Sequence, residues 1–399
     1  MSYIEKLLLN IKIEWITLGD EGFLEIANSG RKPVKASLRK PGEIPYYGAN
    51  NIQDYVEGFT HEGKYILIAE DGSKSLENYS IQLTKGKFWA NNHIHVIRAK
   101  NEITTKFLYH YLQIVNFIPL LSGGGRAKLT KSKLVQITIP IPCTDNPKKS
   151  ISIQKEIVRI LDTFTELTAE LTAELTVRKN QYSYYREQLL TFNENKVEYL
   201  PMGDDSVGKF IRGGGLQKKD FTDSGVGCIH YGQIYTHYGT YADRTKSFVS
   251  KEFAKKARIA KHGDLVIATT SETDGDLCKA VAWLGNEEIA VSSDACFFRH
   301  NLNPKYVAYF FQTEQFHKQK RSFITGAKVR RVNASNLEKI KIPVPSSREQ
   351  ERIVSILDKF DILTTSISEG LPKEIELRKK QYEYYRNMLL TFPNDTIEV

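Results

Sequence analysis

The sequence predicts an α+β chain: two globular α/β modules separated by two long antiparallel coiled-coil helices, the halves related by a pseudo-twofold internal repeat. Three observations predict it. Residues 178–192 read Arg-Lys-Asn-Gln-Tyr-Ser-Tyr-Tyr-Arg-Glu-Gln-Leu-Leu-Thr-Phe. Residues 378–392, 200 positions on, read Arg-Lys-Lys-Gln-Tyr-Glu-Tyr-Tyr-Arg-Asn-Met-Leu-Leu-Thr-Phe. Each copy follows a heptad-like stretch, and each of those follows a Pro-x-Pro hinge, Ile139-Pro140-Ile141-Pro142 or Ile342-Pro343-Val344-Pro345. Self-similarity over half the chain sets the architecture before any motif is read. The boundaries expected are a first module over 1–149 with a short N-terminal helix, a first spacer helix over 150–192, a second module over 193–346, and a second helix with a C-terminal tail over 347–399.

In chain order, Ile4, Leu7, Leu8 and Ile11 stand at helical spacing. The run 13–20 (Ile-Glu-Trp-Ile-Thr-Leu-Gly-Asp) matches 197–204 (Val-Glu-Tyr-Leu-Pro-Met-Gly-Asp), a shift of 184 that also carries 44–48 onto 228–232. Short β-branched runs at 64–69 and 263–268, then 92–98 and 294–299, read as matched strands. Aromatic-rich helices are predicted over 105–118 and 304–320. Proline continues neither a helix nor a central strand, so the Pro-x-Pro pairs mark boundaries. Beyond them Ile153, Ile157, Ile160, Phe164, Leu167 and Leu171 alternate spacings of four and three, as do Ile353, Leu357, Phe360, Leu363 and Ile367: coiled-coil seams. Ser347 with Gln350 reads as a capping box, and Pro372 as a kink or break. Residues 165–175 repeat a Thr-Ala-Glu-Leu unit, which suits a spacer that changes length by whole units; the plainer reading is a solvated helix face.

Composition is that of a soluble globular protein, 41% hydrophobic and 26% charged. No apolar run is long enough for a membrane span, and the start lacks a signal-peptide pattern. Four scattered cysteines fit a reducing cytoplasm and argue against a zinc knuckle or disulfide framework. The net charge of +9 is uneven: residues 1–149 and 193–345 carry +6 each, whereas 150–192 and 346–399 carry −1 and −2. Both modules therefore suit a polyanion, and the helices do not.

Together the duplicated Arg-Lys-x-Gln-Tyr-x-Tyr-Tyr-Arg segments, the hinges 139–142 and 342–345, the helix starts Gln154-Lys155-Glu156-Ile157 and Gln350-Glu351-Arg352-Ile353, and the Thr-Ala-Glu-Leu repeat resemble the specificity subunit of type I restriction–modification enzymes, over essentially the whole chain. The resemblance implies two target-recognition domains, each reading one half of a bipartite sequence in double-stranded DNA. It implies antiparallel helices that fix the gap and dock two methyltransferase subunits, with restriction/translocase subunits added. S-adenosylmethionine, ATP and Mg²⁺ are then expected on those partners, with no cofactor, metal or catalytic residue in this chain.

The residues themselves agree on catalysis. There is no Asn-Pro-Pro-aromatic loop, and no Walker loop for ATP. Two other classes stay open: a DNA endonuclease using Asp54 with Glu62-Gly63-Lys64 around a metal, and a coiled-coil adaptor without a DNA role. His93 and His95 lack a third ligand at a known spacing, which favours structural or DNA-contacting roles.

Binding candidates fall on paired loops. Arg31, Lys32, Lys35 and Arg39 lie in a basic Gly/Pro loop whose counterpart holds Arg212, Gln217, Lys218 and Lys219; glycine lets a backbone approach phosphate while Arg and Lys supply charge. Arg126, Lys128 and Lys131, with Lys328, Arg330 and Arg331, precede the hinges and suit phosphate clamping. Aromatic–glycine turns offer Tyr47, Asn50 and Asn51 against His230, Tyr231 and Gln233, since amides pair twice with adenine as Arg does with guanine. Ser73, Lys74, Thr270 and Ser271 follow matched strands within reach of base edges. For each, the alternative is a solvated turn, a cap or a core aromatic. On the helices Tyr182, Tyr185, Leu189, Tyr382, Tyr385 and Leu389 share one face, for partner docking or for packing within the chain.

Overall fold

A computed structural model describes residues 7–8, 11–123, 127–366 and 368–392. Most of the expected N-terminal helix lies outside these residues, as does Ile367 of the second seam. The chain divides into two compact units: Met1–Glu170 with Ile375–Val399, and Leu171–Glu374.

The first unit contains β1 (Ile13–Thr17), β2 (Leu24–Ile26), β3 (Pro41–Tyr47), β4 (Ile52–Val56), β5 (His61–Ala69), β6 (Ile81–Ala90), β7 (Ile94–Ala99) and β8 (Thr138–Pro142). Six of these form one sheet in the order β2-β7-β5-β6-β3-β4, in which only β3 and β6 run parallel. The unbroken apolar run in β5 follows from burial on both faces. Ile66 and Ile68 pack with Leu108 and Leu112 on one side, and Tyr65 and Leu67 pack with Phe88 and Val96 on the other. Helix α1 (Glu102–Leu112) covers the first face. It starts earlier than predicted because the Asn101 side chain accepts the Thr104 N–H and caps it, and it ends at Leu112, sooner than predicted. A short α2 (Lys131–Leu134) leads into β8, and α3 (Pro147–Leu190) follows, its first part in this unit.

The hinges are strands of two-stranded ribbons, where proline costs no internal ladder bond. β8 pairs with β1, Ile13 opposite Pro142. In the second unit β22 (Lys341–Pro343) pairs with β9 (Tyr199–Pro201) in the same manner. The shared frame continues into the backbone. Leu18 and Gly19 donate to the carbonyls of Ile137 and Val135, as Met202 and Gly203 donate to Ile340 and Glu338.

The rest of the second unit comprises β10 (Gly208–Arg212), β11 (Phe221–Thr222), β12 (Val226–Ile229), α4 (Tyr231–Thr236), β13 (Tyr241–Ala242), β14 (Ser247–Val249), α5 (Lys251–Ala254), β15 (Ile259–Ala260), β16 (Leu265–Ala268), β17 (Thr270–Ser271), β18 (Ala280–Trp283), β19 (Ile289–Val291) and β20 (Ala295–His300). After them come α6 (Pro304–Phe310), α7 (Glu314–Arg321), β21 (Arg330–Arg331), α8 (Ala334–Leu337) and, beyond β22, α9 (Ser347–Thr365). Two five-stranded sheets, β10-β20-β16-β18-β13 and β11-β14-β12-β19-β15, replace the single sheet of the first unit. The helix predicted over 304–320 is two helices. The first ends at Phe310, and Thr313 caps the second by accepting the Phe316 N–H.

Ser346, not Ser347, caps α9, accepting from Glu349. The Gln350 amide instead takes the Asn303 N–H and donates to the Pro345 carbonyl. Pro372 sits in the first turn of α10 (Leu371–Leu390), where its missing N–H is harmless. Gly370 at φ +83° makes the break, since a Cβ there would collide with the Ile362 carbonyl.

The first turns of each predicted seam pack within their own unit. In the first, Ile153 and Ile157 cluster with Leu389, Leu390 and Phe392, where Leu161, outside the predicted seam, is buried and Ile160 is packed at the margin, and Phe164 stacks on Tyr385 at 5.2 Å. In the second, Ile353 and Leu357 cluster with Leu190, and Phe360 stacks on Tyr185 at 5.5 Å. The place that Leu189–Phe192 occupies in the second unit is thus filled in the first by the repeat's own copy, with Leu7, Leu8 and Ile11 packed beside it.

Candidate nucleic-acid interface

In both units the same backbone bonds join two loops far apart in sequence. In the first unit the Leu129 N–H donates to the Glu70 carbonyl at 2.7 Å, and Lys128 pairs with both Asp71 and Ser122. In the second the Val332 N–H donates to the Thr269 carbonyl at 3.1 Å, and Arg331 pairs with both Thr270 and Thr325. The segment after the central strand and the basic loop ahead of the ribbon therefore form one surface. It gathers Lys128 in the first unit and Thr270, Ser271, Arg330 and Arg331 in the second. Arg126 lies outside the described residues.

In the first unit much of the predicted cationic set is internally paired. Arg31 donates to Glu70 Oε2 at 2.6 Å and to the Ile94 carbonyl at 2.7 Å. Lys128 reaches Oε1 of the same carboxylate at 3.0 Å. Burial pushes the Glu70 carboxyl up, but hydrogen bonds from Arg31 and then Lys128 outweigh it and hold its pKa below the usual range. Arg39 lies over the Tyr46 ring at 4.1 Å and reaches Asp54 at 3.3 Å. Lys32, Lys35, Lys74 and Lys131 are exposed. Asn50 is a brace: its amide donates to the Gly72 carbonyl and accepts the Lys74 N–H. The Asn51 carbonyl closes the turn from Gly48, Tyr47 packs edge-on against Phe88, and Ser73 ties Ser75 to Ser80.

The two histidines have separate duties. His93 meets Asp71 at 2.7 Å. His95 is buried between Asn28 and the Leu129 carbonyl, and burial lowers its pKa. Among the described residues no three His, Cys, Asp or Glu side chains are placed to hold a metal. The endonuclease alternative also fails on geometry. Asp54 lies on β4 at the sheet edge, three strand spacings (about 14 Å) from Glu62 on β5. That is too far for shared ligation of one ion.

In the second unit Tyr231, Gly232, Thr270 and Ser271 line one cleft of about 570 Å³ with Tyr235 and Lys279. A smaller cleft of about 270 Å³ adjoins it at Thr270, lined by Arg212, Asp294, Arg331 and Asn333. His230 caps α4 through Nδ1, and Gln233 completes the box by accepting the His230 N–H. Burial first, then the Lys218 charge, lower the His230 pKa. Gln217 opens an exposed turn by accepting and returning bonds with Asp220, which presents Lys218 and Lys219. Lys328 is exposed, and Arg330 is paired with Asp274 at 2.9 Å.

Three residues here escaped the sequence reading. The Tyr235 hydroxyl donates to the Thr270 carbonyl at 2.9 Å. Lys279 reaches the Tyr235 carbonyl. Lys320, 1% exposed, donates to the carbonyls of Asp274 and Leu277 and so pins the loop that walls the larger cleft. Only a lysine on the buried face of a predicted helix would have hinted at it.

The helical candidates pack inside their own units. Tyr182 is buried against Phe360 and Asp361, Leu189 lies against that core, and Leu389 is buried. Tyr382 bonds His110; Tyr185 and Tyr385 stack on Phe360 and Phe164. The neighbours Tyr184 and Tyr384 are 60% and 63% exposed. No helix among the described residues is long and apolar enough to cross a membrane.

A family model described as the type I restriction modification DNA specificity domain matches residues 12–177 and 205–377. A putative type I restriction enzyme specificity subunit of Haemophilus influenzae is 45% identical over 414 residues, 98% of both chains. The EcoR124I/EcoR124II specificity subunit of Escherichia coli is 35% identical over 411 residues, again 98% of both. Among solved structures, the S subunit of a type I restriction-modification system from M. genitalium superposes with a TM-score of 0.58 at 15% identity, over 99% of this chain and 100% of that one. At that identity the likeness concerns the fold.

Proposed function

We infer the function of this chain from one premise: it belongs to the type I restriction–modification DNA specificity family. It is a DNA-recognition subunit of a type I restriction–modification complex and is not itself catalytic. Each unit reads one half of a bipartite duplex target, and the helices set the unread gap. The helices also dock two methyltransferase subunits, and restriction/translocase subunits join them. S-adenosylmethionine, ATP and Mg²⁺ belong to those partners, and the complex works in the cytoplasm.

One observation carries the division of labour between units. The same two-loop junction, Asp71 with Lys128 and Thr270 with Arg331, recurs in both. At each a cation stands beside a hydroxyl, Lys128 by Ser122 and Arg331 by Thr270, with Lys128 also paired to Glu70. Such a surface combines phosphate attraction with groups able to bond base edges. The acidic balance of the helical segments suits protein partners better than DNA.

The test is binding of the full chain, with and without its methyltransferase partners, to duplexes carrying both half-sites at varied separation. One separation is expected to bind at least tenfold tighter than its neighbours, a difference of about 1.4 kcal/mol. Equal affinity at every separation rejects the spacing role. Exchange of residues 13–142 for another such module is expected to alter one half-site only.

A further inference from the structure

We propose that the Arg212–Arg331 cleft of the second unit holds a backbone phosphate of the DNA, and that the matching position of the first unit is filled by the chain's own Glu70 carboxylate. The proposal rests on the DNA-recognition reading above and adds to it a difference in kind between the two units.

Backbone bonds fix the equivalence. The Glu70 N–H donates to the His93 carbonyl and the Thr269 N–H to the Asp294 carbonyl, at 2.8 and 2.9 Å. The carbonyls of Glu70 and Thr269 accept from Leu129 and Val332. Glu70 and Thr269 therefore occupy one structural position, with a carboxylate in the first unit and a hydroxyl in the second. Lys128 and Arg331 are equivalent by the same ladder, each following Ser122 or Thr325 across the loop. The second cation reaches the spot from the opening segment of each unit: Arg31 in the first, and Arg212 at the end of β10 in the second. Arg212 is held there because the next residue, Gly213, lies so close to the Ser292 carbonyl that no Cβ would fit.

In the first unit the two cations close on Glu70, which is mostly buried between them. In the second no carboxylate lies at the equivalent position, and neither Arg212 nor Arg331 has a side-chain partner among the described residues. Asp294 is the one acid lining the cleft; its Oδ1 faces the Thr270 hydroxyl at 3.4 Å. Two arginines against one aspartate among the lining residues give the cleft an excess positive charge, and Thr269 and Thr270 line it with them. Guanidinium forks suit the paired oxygens of a phosphodiester. In the first unit Glu70 supplies that oxygen pair from within the chain.

The test is anisotropy titration of the full chain over a KCl series, on one duplex carrying the second half-site and one of arbitrary sequence. Arg331→Ala and Thr269→Glu, checked for folding by circular dichroism, are each expected to reduce the slope of log K against log salt by about 1 on both duplexes. Glu70→Thr frees Arg31 and Lys128 and is expected to steepen the slope by about 1 and tighten binding to both, a gain that misfolding cannot produce. Unchanged slopes in Arg331→Ala and Thr269→Glu overturn the proposal. So does a loss confined to the half-site duplex, which makes Arg331 a guanine reader, or a Glu70→Thr chain that binds more weakly with no steeper slope. A wild-type chain whose binding to any duplex ignores salt overturns the DNA-recognition reading itself.

Discussion

Tyr309 donates its hydroxyl hydrogen to Asp358 Oδ1 at 2.6 Å, and Lys305, one turn earlier on the same helix, takes the other oxygen at 2.8 Å. The first unit repeats the device with different residues. His110 Nε2 lies 2.9 Å from Asp162 Oδ1, and Lys106 bonds Oδ2. Both aspartates are on the helix that follows the ribbon strand, α9 or α3, so each globular part is fastened to that helix by a cation and a ring. Tyr309 is fully buried, and burial with the bond to Asp358 raises its pKa far above the ordinary value. Asp358→Ala leaves that hydroxyl unpaired and is expected to cost the second unit about 2 kcal/mol, while Tyr309→Phe costs about 1 kcal/mol. Urea unfolding measures both, and a Phe variant costlier than the Ala variant contradicts the assignment.

Part of the acid sensitivity of the second unit is expected to come from His300. Its ring packs on Phe298 at 4.8 Å, and neither buried ring nitrogen has a well-aligned partner among the described residues. Burial lowers its pKa from 6.5 to about 4, more than nearby Asp264 raises it. Between those values the unfolded chain binds the proton and the folded chain does not, so stability is full above pH 6.5 and declines as pH falls towards 4. The loss approaches about 3 kcal/mol at the low end. His300→Phe keeps the ring and removes its titration, and is expected to weaken the dependence of the urea midpoint on pH over that window, leaving the part due to His317, whose pKa burial also lowers to about 4. An identical pH profile in the variant rules His300 out as a source.

Lys320 is expected to act on recognition by the second unit alone. Its ammonium group satisfies the Asp274 and Leu277 carbonyls beneath the loop holding Glu272, Thr273 and Asp276, three residues of the larger cleft. Lys320→Met keeps the apolar stem and leaves those carbonyls unpaired, at about 1–3 kcal/mol. Binding to a duplex altered in the second half-site is expected to differ less from binding to the intact target than in the wild type. Discrimination in the first half-site is expected to stay as it was.

The large-scale repeat was legible because its carriers are helix and ribbon, whose residues must keep their spacing. Loop equivalence was not. The shift between matched residues grows from 184 at Leu18 and Met202 to 199 at Glu70 and Thr269, then 203 at Leu129 and Val332. A fixed offset therefore misaligns the loops: the Tyr47 carbonyl, which accepts from Asn91, is matched by that of Ile229, which accepts from Ser292, and not by Tyr231. Nor does sequence tell a paired arginine from an unpaired one. The partners of Arg31 and Arg39 are Glu70 and Asp54, brought in from 39 and 15 residues away by strand pairing. Asn50 looked able to read adenine, and its amide is already bonded to Gly72 and Lys74.

The Thr-Ala-Glu-Leu units of residues 165–175 lie wholly within α3, with Leu167, Leu171 and Leu175 half-buried and the glutamates exposed. Because leucine returns every fourth residue, an added or deleted unit keeps an apolar residue near the same face and the helix unbroken. Four residues add about 6 Å of helix, close to the rise of two base pairs. A chain with one extra unit is therefore expected to prefer half-sites about two base pairs further apart and to keep the bases read in each half, since no loop of either unit is touched. Methylation mapping in cells that express the variant with its partners reads both properties at once. A variant that keeps the original separation shows that the helix does not act as the spacer, and one that reads new bases shows that the repeat reaches into the recognition surfaces.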